Sequence, residues 1–170
     1  MKTILFLSLF FTTIYAQHSE SSLKILIIGK VAKYITWQES HHKNFIITVL
    51  KNRDNNIFDT TYHNRKIKHK PVIIKYIDDI KKLTKTDILY ISSLNSKDLS
   101  KILQYIEGKN IFTVSDIRGF AEKGGMMQIY FASQRVKLKI NLGVTQQEHF
   151  KIKSSLLRIA NVLRGDSTNE

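Results

Sequence analysis

The chain has 170 residues, 27 Lys plus Arg against 14 Asp plus Glu (net charge +13), and no cysteine; this excludes disulfides, thiolate metal sites, cysteine nucleophiles and lipidation on cysteine. The length suits one domain with a single core. The cations are 21 Lys and only 6 Arg, whereas base readout and bidentate phosphate contacts favour Arg, so the charge reads as a solvated surface or a site for an anionic ligand, lipid or acidic partner, and not as a nucleic-acid interface.

Residues 1–16 have the layout of a secretory signal peptide. Lys2 supplies the positive start, Ile4 to Tyr15 is apolar apart from Ser8, Thr12 and Thr13, and the small Ala16 precedes a cleavage that leaves Gln17 first. The apolar run is shorter than the roughly 20 residues of a membrane-spanning helix. The chain is therefore expected to be exported and soluble in the periplasm, with residues 17–170 as its one domain.

In Ser22 to Trp37 the apolar run Lys24–Gly29 alone could be a buried strand, but the stretch reads better as a helix, because Leu23, Leu26, Ile27, Val31, Tyr34 and Ile35 share one face. Gln38 to Asn44 is a polar loop. Phe45–Leu50 is a short apolar, β-branched run and reads as a buried strand. After a turn at Asn52–Asn56, residues 57–70 are weakly patterned and densely basic from Arg65 to Lys70. Pro71 marks the edge of a strand over Val72–Ile77. A short helical connection, Asp78–Leu83, leads to a second buried strand at Asp87–Ile91.

A helix starts at Ser96, presents Leu99, Ile102, Leu103 and Ile106, and stops at Gly108. Ile111–Val114 is a strand that ends at Ser115 and Asp116. Gly119–Gly125 is a loop. Met126–Ala132 and Val136–Leu142 alternate, which predicts an antiparallel hairpin with one wet face. Leu156, Leu157, Ala160 and Leu163 predict a closing helix over Ile152–Leu163. Strands alternating with helices give an α/β class: a single compact domain with a mixed β-sheet flanked by helices.

The sequence supplies binding groups but no reactive constellation. His41, His42, His63 and His69 lack the spacing of a zinc site, so neither a metal nor a cofactor is expected. No G-x-S-x-G elbow exists, and Ser115 beside Asp116 has no base, so no catalytic residue is assigned. The Gly119–Gly125 loop matches neither phosphate-binding glycine motif and reads as a tight turn that Asp116 is placed to cap; Arg118 lies in the same turn. Trp37 is the only tryptophan, readable as core or as a binding anchor. Arg135, Lys137, Lys139 and Asn141 recur at period two and project from one sheet face, the best electrostatic match in this chain to an anionic ligand.

Four segments recur together in a known family: Lys30–Trp37; Asn110–Asp116 with Gly119 and Gly124–Met126; Val136–Asn141; and Lys151–Leu157. Their order and spacing resemble the YfiR-like family of exported bacterial proteins over about residues 22–164. The resemblance implies a compact α/β fold that often dimerises. It also implies a periplasmic repressor that binds the outer part of a membrane-bound diguanylate cyclase, keeps cyclic-di-GMP low and restrains biofilm formation. Trp37 matches the tryptophan closing the family's first helix, Asp116 and Gly119 its strand-end turn, and Lys137 and Asn141 polar positions of its late strand. The chain departs from the pattern in having no cysteine, in Lys137 where Arg is commoner, in Lys139 where an acid is commoner, and in a basic Asn55–Lys70 segment not expected to hold the family's helix.

The expected function is thus regulatory binding and not catalysis. The partner would be a membrane signalling protein, a diguanylate cyclase or a sensor kinase. Trp37, Asp116, Arg118, Gly119, Lys137, Lys139 and Asn141 are the candidate partner- or ligand-binding residues. A periplasmic sensor or carrier of a small anion or nucleotide is the alternative, and a hydrolase the weaker one.

Overall fold

The computed structural model describes residues 20–37, 43–51 and 56–164. The signal-peptide reading, most of the polar loop after Trp37, most of the Asn52–Asn56 turn and the C-terminal tail lie outside the described residues. No helix among those residues is long and apolar enough to cross a membrane.

Helix α1 covers residues 20–32 and is followed by β1 (Ile35–Thr36) and β2 (Phe45–Leu50). Then come α2 (Ile57–Tyr62), β3 (Lys66–Ile67), β4 (Lys70–Ile77) and β5 (Ile88–Ile91). The second half comprises α3 (Leu99–Ile106), β6 (Phe112–Ser115), β7 (Met127–Ala132) and β8 (Arg135–Asn141). It closes with α4 (Leu142–Gln147), β9 (Lys151–Ile152), α5 (Ser154–Leu157) and β10 (Asn161–Leu163).

Eight strands form one mixed sheet in the order β10-β8-β7-β6-β5-β2-β4-β3. The five strands from β4 to β7 are parallel, and antiparallel partners flank them, β3 on β4 and β8 on β7. A central parallel sheet needs both faces covered, and the side chains show that it is. Phe45, Ile47 and Val49 of β2 join Ile88, Val114, Met127 and Ile140 under Ile25, Ile28 and Val31 of α1 and Phe58 of α2. Leu50, Leu89 and Ile91 point the other way, onto Leu99, Ile102 and Ile106 of α3. The expected α/β class and mixed sheet are therefore observed.

Winding sets where a crevice can open. The chain leaves β2 for β4 on one side, then returns to lay β5, β6 and β7 on the other. The reversal lies between β2 and β5, and such a switch point separates the connections at the carboxyl ends of the strands.

Three elements differ from the sequence reading. Helix α1 ends at residue 32, not at Trp37; the chain turns at Lys33 and Tyr34 and enters β1, which pairs with β9. The Trp37 indole N–H donates to the Ala32 carbonyl at 2.8 Å, satisfying a carbonyl that a helix end leaves unpaired. The basic segment after β2 does hold a helix, α2. Its Tyr62 hydroxyl accepts from the Gly29 N–H (2.8 Å) and donates to the Ile25 carbonyl (2.6 Å), which docks it on α1. The closing helix over Ile152–Leu163 is replaced by β9, the single turn α5, and β10, which adds in parallel to the free edge of β8.

Candidate functional site

Trp37 directly follows β1. Its ring meets Phe45, Phe112 and Phe150 edge-on, with centroids 5.1, 5.8 and 5.5 Å away, a geometry aromatic quadrupoles favour. It is only partly buried, so an outer edge remains at the surface. Phe45 and Phe112 open their strands, which places Trp37 at the amino end of the parallel sheet.

Asp116 lies at the opposite, carboxyl end, directly after β6. Its Oδ2 is 3.3 Å from the Lys24 ammonium on α1, and the two side chains are only 23% and 20% exposed. They line a crevice of about 70 Å³ together with Ser21, Tyr90, Ser92 and Ser93. This is the switch-point position, since Ser92 follows β5 and its hydroxyl donates to the carbonyl of Lys51, which follows β2. The Asp116 Oδ1 atom is buried without a hydrogen-bond partner, so Asp116 does not cap the following turn as expected; its other oxygen is drawn to Lys24, and the Ile117 N–H goes to the Ser115 hydroxyl instead. Ser115 is fully buried, and its hydroxyl donates to the Ile91 carbonyl at 2.6 Å while accepting from the Ile117 N–H. That hydroxyl therefore ties β6 to β5 and is not presented to the crevice. The arrangement suits binding a small polar group more than activating a nucleophile.

The turn after Asp116 leads to the basic row of β8. Arg118 is exposed, and Gly119 takes a positive φ of 75°. Glu122 forms an ion pair with Lys139, and the hydrogen-bonded Lys139 ammonium holds the Glu122 carboxyl below its ordinary value. Asn141 is held from two sides: its Oδ1 accepts from the Val144 N–H at the start of α4, and its Nδ2 donates to the Ala121 carbonyl at 2.9 Å. Lys137 and Arg135 remain exposed.

The structure thus gathers Asp116, Arg118, Gly119, Lys139 and Asn141 around one turn and the strand beside it. Trp37 stands apart at the other end of the sheet; Asp116 shares the face that α1 covers, and the β8 cations project from the opposite one. Lys24, Ser21, Ser92 and Ser93, which join Asp116, were not picked out from the sequence. With Asp116 they lie on three segments with no common motif, and the sheet order that unites them is not written in local periodicity. Among the described residues, no group of three or more His, Asp or Glu is placed to hold a metal ion.

No curated protein matches the chain. Solved structures resemble it in fold alone. One is a conserved domain protein of Vibrio cholerae O1 biovar El Tor, with TM-score 0.57 and 11% identity, covering 70% of this chain and 54% of that one. Another is an ABC domain in complex with L-Trp from Streptococcus pneumonia, with TM-score 0.52 and 11% identity, covering 71% and 56%. The chain thus spans just over half the length of each. The sequence profile described as YfiR/HmsC-like matches residues 21–161. That span takes in every element from α1 to the start of β10, and the chain belongs to the YfiR/HmsC-like family.

Proposed function

We propose that this chain is an exported regulatory binding protein that docks on the outer domain of a membrane signalling protein, a diguanylate cyclase or a sensor kinase, and holds it in its low-activity state. The observation that carries the reading is the family match over residues 21–161. In this reading the exposed cations Arg118 and Lys137 contact the partner. Gly119, Lys139 and Asn141 fix the turn and strand that present them, Asp116 ties the end of β6 to Lys24 of α1, and the outer edge of Trp37 serves a second contact. Docking acts by population shift: it must favour the inactive receptor by differential affinity, about 10⁴-fold to move a receptor from 99% active to 99% inactive. No step of this function requires a reaction on the chain itself.

The test is an affinity pull-down from detergent-solubilised membranes with the tagged, folded chain as bait. Recovery of a membrane-bound cyclase or kinase is expected, together with lowered cyclic-di-GMP synthesis where the partner is a cyclase. The double variant R118E/K137E, at exposed positions, is expected to lose the partner and keep its circular dichroism. A folded bait that enriches no membrane signalling protein overturns the proposal.

A further inference from the structure

We infer that the cavity between α3 and α4 is a binding site for a small organic cation with an apolar body, of the primary-amine class. It measures about 310 Å³, within the range of roughly 300–1,000 Å³ typical of ligand sites. It lies at the amino ends of β6 and β7, at the end of the sheet opposite the Asp116 corner. Leu103 and Ile106 of α3, Ile111, Met126 and Val144 supply apolar walls, and Gln104, Thr113 and Gln147 polar ones. That lining suits a hydrocarbon body and not a hydrated inorganic ion, which would lose its shell there without enough oxygen ligands to replace it.

The charge of the rim selects the head group. The ionisable residues lining this cavity are Glu107 and Glu148, and no Lys or Arg is among them, although the chain as a whole carries +13. Glu148 is fixed in place: Oε1 accepts from the Gly108 N–H at 2.7 Å and Oε2 from the Asn110 N–H at 3.3 Å. Glu107 is exposed beside it. The C-terminal end of the eight-residue helix α3 opens on the same rim, and the negative pole of its dipole adds to the potential there. Lys109, the nearest cation along the chain, stands over the Tyr105 ring at 4.4 Å from the centroid. Three sources of negative potential thus surround a partly apolar hollow on a cationic molecule. An ammonium is attracted there, a carboxylate or phosphate is repelled, and a neutral group gains only the walls.

Isothermal titration calorimetry of the folded full chain tests this with phenethylamine, 2-phenylethanol and 3-phenylpropionate, three probes of one shape and three charges. Phenethylamine is expected to bind, the alcohol to bind about fivefold or more weakly, and the carboxylate to give no heat. V144F fills the hollow and is expected to abolish binding. E107K reverses an exposed rim charge with no duty in the fold, and is expected to weaken the amine about fivefold or more at unchanged melting temperature. The inference is overturned if folded wild-type chain gives no heat with millimolar phenethylamine, if amine and alcohol bind alike, or if E107K leaves the amine's affinity unchanged.

Discussion

At the scale of single residues, Tyr62 and Gly29 carry the most specific consequence. The Tyr62 hydroxyl sits on the Ile25 carbonyl and the Gly29 N–H, two groups that an α-helix would join to each other. A Cβ on residue 29 would fall 2.8 Å from Cε1 of the Tyr62 ring, so only glycine admits the ring this closely. G29A is expected to cost about 1–3 kcal/mol through overpacking, and Y62F only about 1 kcal/mol, because the two helix groups can then pair directly. Urea unfolding of both variants and of their combination measures this, with a coupling term expected in the double-mutant cycle. Burial pushes the Tyr62 phenol above its ordinary value of about 10. A raised folded-state value means its contribution is complete below pH ~10 and is lost as pH rises beyond it. Y62F should therefore show a shallower alkaline loss of stability than wild type. None of this was legible in the sequence, where Gly29 reads only as the end of an apolar run; a contact across 33 positions leaves no period. Trp37 was legible as core or anchor, and the three phenylalanines around it come from segments 8, 75 and 113 residues away.

At the scale of elements, the sequence was clearest where alternation repeats. The hairpin of β7 and β8 appears as read, with Met127 opposite Ile140 and Ala132 opposite Arg135. Its two-residue turn puts Ser133 and Gln134 at φ 49° and 58°, the left-handed conformation that favours Asn-Gly. S133N/Q134G is expected to stabilise the chain by about 1 kcal/mol and to raise the melting temperature by about 2–4 °C, read by thermal unfolding. The closing segment was misread for the opposite reason. Leu156, Leu157, Ala160 and Leu163 have helical spacing, but Asn161–Leu163 gains ladder hydrogen bonds on the open edge of β8. An edge created elsewhere in the chain outweighs a local period. The first helix was over-extended because Tyr34 and Ile35 continue its apolar face, while β1 pairs instead with a β9 that lies more than a hundred residues on.

At the scale of the whole molecule, the α/β class followed from alternating elements, but the strand order did not. The order places Lys24 and the ends of β5 and β6 around one crevice. Charge also acts at this scale. With 27 basic residues against 14 acidic ones, self-repulsion opposes the compact state. Raising ionic strength from 0.01 to 0.15 M shortens the Debye length from about 30 to about 8 Å, so the melting temperature measured by calorimetry is expected to rise; a fall would mean that attractive pairs dominate. The placement of the single indole has a last consequence. All tryptophan fluorescence of the unlabelled chain arises from Trp37, packed against Phe45, Phe112 and Phe150 at the seam between α1, β1 and the sheet. Its emission maximum is a spectroscopic address. A partner that settles on that seam shifts the colour, and one that settles on the Lys137 face, across the sheet, leaves it where it was.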